Sequence, residues 1–370
     1  AQDYLGALWA IGLRLPGVTE ADIERALAAR SIVRTWPARG TLHFVAAQDA
    51  RWMLELLAPR VIARSRGRLQ QVGLDEATLA RSSQLFSAAL QGGKQLTRAA
   101  MCQLLESAHI STAGQRGIYI LGRLAQEGLL CFGAREGKQQ TFTLLAEWVG
   151  PTEAKSRAEA LAELARRYFT SHGPATVQDF VWWSGLTTAD ARAALEMAKP
   201  HLIQEALDEQ AYWLSSSAPS AHEAPPTAYL LPAFDEYLVG YRDRSGVLEP
   251  AYARRTNNGG GILSPTILIA GRVVGVWKRT LKKGSVVITP DWFSAPTAAP
   301  PKSRLLAGPR CITARFLACP SRWRISKRRL PMLPRRQDRG AATPAWFSLF
   351  PCQAAQQLSS GAHRGTMQAR

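Results

Sequence analysis

One pattern recurs three times before residue 215: two or three runs of helical apolar spacing, then two short β-branched or aromatic runs separated by a turn. Each repeat carries at least two amphipathic helices and one hairpin, which bury their apolar faces by packing on one another. In the first copy, residues 4–14 (YLGALWAIGLR) have helical spacing, and TEADIERALAAR opens on a capping box formed by Thr19 and Asp22. Ile32 to Thr35 and Thr41 to Val45 read as strands around Trp36-Pro37-Ala38-Arg39-Gly40, whose proline and glycine supply the turn. The second copy predicts helices over Leu96 to Ser107 and Arg116 to Glu127, then strands over Leu129 to Gly133 and Gln140 to Leu145 about a basic loop, 134–138. The third predicts a helix to Tyr168, helices over Thr176 to Ser184 and Thr187 to Ala198, and strands over Leu202 to Ala206 and Ala211 to Leu214. Thr187 and Asp190 cap the last of these helices.

Helix, helix, strand, wing, strand is the order of a winged-helix unit. The expected fold class is therefore α+β: three tandem winged-helix units over residues 1–75, 76–150 and 151–215, followed by a small β-rich, barrel-like domain. A Ser-, Ala- and Pro-rich linker is expected over 216–226. The β-rich domain is expected over 227–293, with strands at Ala228 to Leu231, Thr266 to Ile269, Val273 to Lys278 and Ser285 to Thr289.

Residues 294–370 read differently. They hold 14 Lys and Arg against one acid, Asp338, together with nine of the 22 prolines and no sustained period. The formal charge of +18 thus divides into +13 for this stretch and +5 for residues 1–293. An irregular basic tail is expected. It is either a phosphate-gripping Arg-rich arm or, the preferred alternative, sequence translated out of frame, because charge-unbalanced, Pro-rich sequence does not easily build a core.

Several function classes find no support. The five cysteines are scattered with no CxxC pair, and the six histidines form no HExxH cluster, so neither a disulfide framework, a metal site nor any other cofactor is expected. Gly259-Gly260-Gly261 lacks the following GK[ST] of a phosphate loop and reads as a turn. No stretch approaches the roughly 18 apolar residues that span a bilayer, and residues 1–15 lack a signal-peptide pattern, so the expected location is cytoplasmic, with no membrane partner.

Several basic residues within 1–293 are candidate DNA contacts. Arg34, Arg39 and His43 sit on or beside the first hairpin, where arginine can hold phosphate and a wing can enter a groove. Arg60, Arg64 and Arg68 recur on one helix face and either track the backbone or form a solvated face. Lys138 on the second wing and Lys278, Arg279, Lys282 and Lys283 in the β-rich domain add a further basic set, beside Trp277 as an exposed aromatic candidate; the alternative is a charged sheet edge. Trp182 and Trp183 are expected to divide between core and surface. Asp235 and Glu236, read as neighbours on a strand, point to opposite faces and fix local structure rather than sharing acid–base work.

Several phrases together resemble the AlkZ-like winged-helix family of bacterial DNA glycosylases. They are Ala1-Gln2-Asp3-Tyr4 leading into ALWAIGLR, RTWPARGTLHFVAAQDARWML, DFVWWSGLT, LLPAFDEYLVGYRDR and GRVVGVWKRTLKK, and they span residues 1 to about 293. The family's signature is a glutamine, one intervening residue, then glutamine or aspartate before the first long helix. Gln2 fits its second position, and the first falls immediately before Ala1, so the chain reads as N-terminally truncated. The family pattern also continues into a closing helix that the tail lacks.

The resemblance implies a monofunctional glycosylase acting on N7-alkylated or cross-linked bases in double-stranded DNA. In that role Gln2 orients water and Asp3 stabilises a cationic sugar or takes a proton, with no cofactor. Read from the residues alone, Gln2 and Asp3 serve equally as caps of the first helix. The alternative function is a non-enzymatic winged-helix DNA-binding regulator. A nucleoid-associated monomer is the remaining expectation.

Overall fold

The opening residues meet two different environments: Gln2 packs with the first hairpin, whereas the helix that follows packs with the C-terminal strands. The structure, a computed structural model, describes residues 2–15, 17–217, 228–257, 259, 261–282, 285–293 and 323–325. The described residues fall into two units. One draws on Gln2, Ile23–Tyr168 and Phe180–His201, the other on the described residues of Asp3–Asp22, Phe169–Asp179 and the stretch from Leu202 onward. Most of the expected linker and basic tail lies outside the described residues.

In chain order the elements begin with α1 (Tyr4–Arg14), α2 (Glu20–Ala28), β1 (Ile32–Ala38) and β2 (Thr41–Ala46). Next come α3 (Ala50–Gln71), α4 (Glu76–Leu90), β3 (Leu96–Thr97), α5 (Arg98–Ser107), α6 (Arg116–Gln126), β4 (Leu130–Phe132) and β5 (Thr141–Leu144). Then follow α7 (Leu145–Val149), α8 (Arg157–His172), α9 (Val177–Ser184), α10 (Thr188–Ala198) and the hairpin β6 (Leu202–Leu207) and β7 (Gln210–Ser215). The last are β8 (Ala228–Leu231), α11 (Glu236–Val239), α12 (Ala253–Thr256), β9 (Thr266–Ile269), β10 (Arg272–Lys282), β11 (Ser285–Trp292) and β12 (Trp323–Ile325).

In the first unit the two expected wings are parts of one sheet, in the order β2-β1-β4-β5-β3. The hairpins join where β1 pairs β4, Arg34 opposite Phe132, which occupies an edge that a lone hairpin would leave open. The period of two then divides the side chains between two cores. Val33, Val45 and Cys131 pack with Leu54 and Ala58 of α3. Phe132, Phe142 and Leu144 pack with Phe86, Leu105 and Ile120 of α4, α5 and α6.

Helix starts follow the capping chemistry legible in the sequence. Thr187 Oγ1 accepts the Asp190 N–H at 3.0 Å at the head of α10, and at α2 the Asp22 carboxylate accepts the Thr19 N–H at 2.7 Å while Thr19 Oγ1 accepts the Asp22 N–H at 3.3 Å.

In the second unit β6 and β7 turn through Asp208 and Glu209, both at positive φ, as a two-residue hairpin demands. The other sheet runs β12-β11-β10-β9-β8. Its parallel β11–β12 pairing places three residues of the expected irregular tail, Trp323–Ile325, in a strand. Helix α1 belongs to this unit: Trp9 Nε1 donates to the Leu230 carbonyl at 2.8 Å, and Arg14 makes a bidentate ion pair with Asp235 at 2.8 and 3.0 Å.

Two expectations are corrected here. Asp235 and Glu236 do not share a strand; Asp235 is the N-cap of α11, accepting the Tyr237 N–H at 2.9 Å, and Glu236 begins that helix. Trp277 is not exposed but 3% accessible, because it alternates inward on β10, donates Nε1–H to the Leu231 carbonyl at 2.8 Å and packs on Trp9.

Candidate functional site

Strand β2 ends the sheet of its unit, so its outward backbone N–H groups need partners from outside the ladder. Gln2 supplies one: its Oε1 accepts the Leu42 N–H at 3.0 Å. The Leu42 side chain packs into the core beneath. An amide that would otherwise swing about three torsions is thereby fixed to a rigid hairpin. Its carbonyl oxygen retains a second lone pair for a water O–H, and its NH2 group remains a donor. Gln2 itself is exposed.

The hairpin under Gln2 is built tightly. Ala38 pairs with Thr41 across a two-residue turn, Arg39 and Gly40, at φ 55° and 71°. The turn is therefore shorter than the five residues expected, and β1 continues through Pro37. The Thr41 hydroxyl donates to the Ala38 carbonyl at 3.1 Å and also lies in hydrogen-bond contact with His43 Nε2 at 2.8 Å. His43 is half-buried.

The expected DNA contacts occupy three kinds of place. Arg34 is interior, 5% exposed, with its guanidinium 4.6 Å from the Phe132 ring centroid and Nη1 donating to Gln140 Oε1 at 3.2 Å. Arg39 at the wing tip donates to the Trp183 carbonyl, and its stem lies over Gly185. Lys138 is exposed at the tip of the second wing, whose loop closes through paired backbone bonds between Glu136 and Gln139 at 3.0 and 3.1 Å.

On α3 the arginine row divides. Arg64 is exposed, whereas Arg68 donates to Tyr119 and Gln115 at 2.9 and 3.0 Å. Arg60 is half-buried and acts electrostatically on Asp190, whose carboxyl burial would raise but hydrogen bonds from Thr187 and Arg157 hold below the ordinary aspartate range.

In the second unit, Asp3 is the N-cap of α1, exposed and in extended backbone, but its side chain makes no capping hydrogen bond. On β10, Lys278 points outward and is exposed. Arg279 turns inward, its guanidinium 5.3 Å from the Trp9 ring centroid. Lys283 and the Lys282 side chain lie outside the described residues. In the first unit, Trp182 is 46% exposed, while Trp183 packs on Tyr168 and Phe180, the division expected of neighbours on a helix.

Among the described residues no group of three His, Cys, Asp or Glu side chains is placed to hold a metal ion. No described helix is long and apolar enough to cross a membrane.

A family model described as DNA glycosylase AlkZ-like matches residues 1–307. The chain belongs to the AlkZ-like DNA glycosylase family. The match runs past the limit near residue 293 that the motifs alone suggested, and so enters the basic stretch. A relative from Streptomyces sahachiroi, an interstrand DNA cross-link repair glycosylase, is 29% identical over 305 residues, 78% of this chain and 81% of that protein. The fold is similar to that of the solved Streptomyces sahachiroi DNA glycosylase AlkZ, with a TM-score of 0.66 and 23% identity over 82% of this chain and 84% of that one.

Gln2, the residue singled out by the motif resemblance, is held by the Leu42 N–H. The Leu42 N–H had no signal in the sequence, because any residue but proline offers one.

Proposed function

We propose that this protein is a monofunctional DNA glycosylase of alkylation repair that hydrolyses the N-glycosidic bond of N7-alkylated or cross-linked purines in double-stranded DNA. The observation that carries the proposal is the Gln2 amide, at the family's signature position, held against the hairpin by the Leu42 N–H. Membership of the AlkZ-like family and the cross-link repair activity named for the Streptomyces sahachiroi relative support the substrate class.

An N7-alkylated purine nucleotide carries a positive charge on the base. When the C1′–N9 bond breaks, its electron pair goes to the purine, which leaves neutral without a general acid. The sugar is left as an oxocarbenium ion. Water bonds to C1′, its O–H directed by Gln2 Oε1, and Asp3 takes the proton released. An amide and a carboxylate form no Schiff base with the sugar, so strand cleavage is not part of the reaction.

Arg39, His43, Arg64, Lys138 and Lys278 are proposed to hold DNA, chiefly through phosphate. Arg34, Arg60 and Arg279 act from beneath, by fixing the sheet, α3 and α1. Three winged-helix units and a barrel-like closing domain remain the proposed arrangement, with the protein associated with the nucleoid. Release of N7-methylguanine from dimethyl-sulfate-treated duplex DNA tests the proposal: release is expected, and DNA binding without release of any alkylated base would overturn it.

A further inference from the structure

Gly6 lies one turn into α1 and is buried, at a position where glycine costs about 1 kcal/mol of helix stability relative to alanine. A Cβ built on it would lie 2.7 Å from Asp3 Oδ2, 3.1 Å from Cγ and 3.4 Å from the Asp3 Cβ. The Asp3 carboxyl therefore occupies the space that any other residue at position 6 would fill. That carboxyl is exposed and, unlike the Asp75 and Asp235 side chains at their helix starts, makes no capping hydrogen bond. A carboxylate laid over the first turn but not spent on capping keeps its lone pairs for another partner. Its backbone carbonyl meanwhile accepts the Ala7 N–H at 2.9 Å and holds the turn.

We infer that Gly6 is a positioning residue for base excision: its missing side chain lets the Asp3 carboxylate lie over the first turn of α1, uncapped, next in sequence to Gln2. The inference rests on the proposed glycosylase function. A Cβ at position 6 meets only the far end of a two-torsion side chain, so the carboxyl rotates aside at little cost and the helix remains.

Alanine at position 6 thus separates two quantities that a structural glycine would lose together. In the full-length protein, Gly6→Ala is expected to leave or raise Tm and to leave the Kd for alkylated duplex DNA unchanged. The single-turnover rate of N7-methylguanine release should fall about tenfold or more, part of the ~100-fold that a positioned carboxylate contributes. In an Asp3→Ala background the same substitution should have no further effect on that rate, because its only route to the chemistry has been removed.

A parental rate in Gly6→Ala would overturn the inference and leave the glycosylase proposal standing. So would an equal additional loss in the Asp3→Ala background, or a fall in rate that tracks a fall in Tm. No release by the unsubstituted protein, with any alkylated substrate, would overturn both.

Discussion

The side-chain oxygen of Gln2 lies 3.0 Å from the Leu42 nitrogen and accepts its N–H, tying the residue ahead of α1 to the edge strand of a sheet forty positions later. The bond gives the amide one orientation. Removing the amide frees an exposed N–H, which water can satisfy, so Gln2→Ala should cost under about 0.5 kcal/mol of stability, as exposed substitutions do. Any large loss of base release is then a chemical effect, and urea unfolding beside an excision assay separates the two.

Arg34 should behave as part of the fold. Its guanidinium covers Phe132 and binds Gln140, so Arg34→Ala removes a cation–π contact, a charge-assisted hydrogen bond and buried stem packing. A loss of about 2–4 kcal/mol is expected by urea denaturation. The salt slope of DNA binding by the remaining folded protein should stay at its parental value.

Arg64 and Lys138 should show the converse. Both are exposed, so alanine at either leaves Tm unchanged within about 1 °C. Each phosphate contact removed should lower the slope of log Kobs against log salt by about 0.9. Fluorescence anisotropy from low to moderate salt reads this directly, and an unchanged slope in both variants would remove them from the interface.

Trp277 tests how far α1 is held by its own unit. Trp277→Ala empties a site against Trp9 and orphans the Leu231 carbonyl, with an expected cost of about 3–5 kcal/mol. Trp277→Phe keeps most of the packing and should cost about 1–2 kcal/mol. A similar, small loss in both would show that the indole is not buried in solution.

Acid should weaken one identifiable interaction. Burial raises the Glu163 carboxyl, but hydrogen bonds from Arg167 and Arg166, at 2.6 and 2.8 Å, outweigh it and hold the group below the ordinary glutamate value of 4.5. A depressed folded-state value means stability that is fully present above pH 4.5 and is lost as pH falls below it, through the lowered folded-state value. Glu163→Gln should therefore lower stability at neutral pH by about 0.5 kcal/mol, as for a partly exposed pair. The difference from the parent should vanish in thermal melts near pH 3, roughly a unit or more below the ordinary value.

Most local structure was legible because it follows from local chemistry. The Thr19 and Thr187 caps and the strands at Ala228 and Thr266 are written in side-chain type and period. The tertiary partners were not. Pairing of β1 with β4 depends on which free edge meets which, and α1 joins the C-terminal unit through Trp9, on β8 and β10, and through Arg14, on the N-cap of α11, residues equally suited to packing on α2. Basic residues showed the same limit: Arg34 and Arg64 look alike in sequence, and only burial distinguishes the side chain that holds a sheet from the one presented to solvent. At the candidate site, Gln2 came from the family motif, while Leu42 acts through a backbone N–H that any residue but proline offers, and the neighbour of the absent Gly6 Cβ is set by the fold.

The most direct test is release of N7-methylguanine from dimethyl-sulfate-treated duplex DNA by the full-length protein and by its Gln2→Ala variant under single-turnover conditions. Base release by the parent that falls about 100-fold or more in the variant, with Tm and DNA affinity retained, is the expected result. Release by Gln2→Ala at the parental rate would contradict the assignment of Gln2 as the group that directs the attacking water.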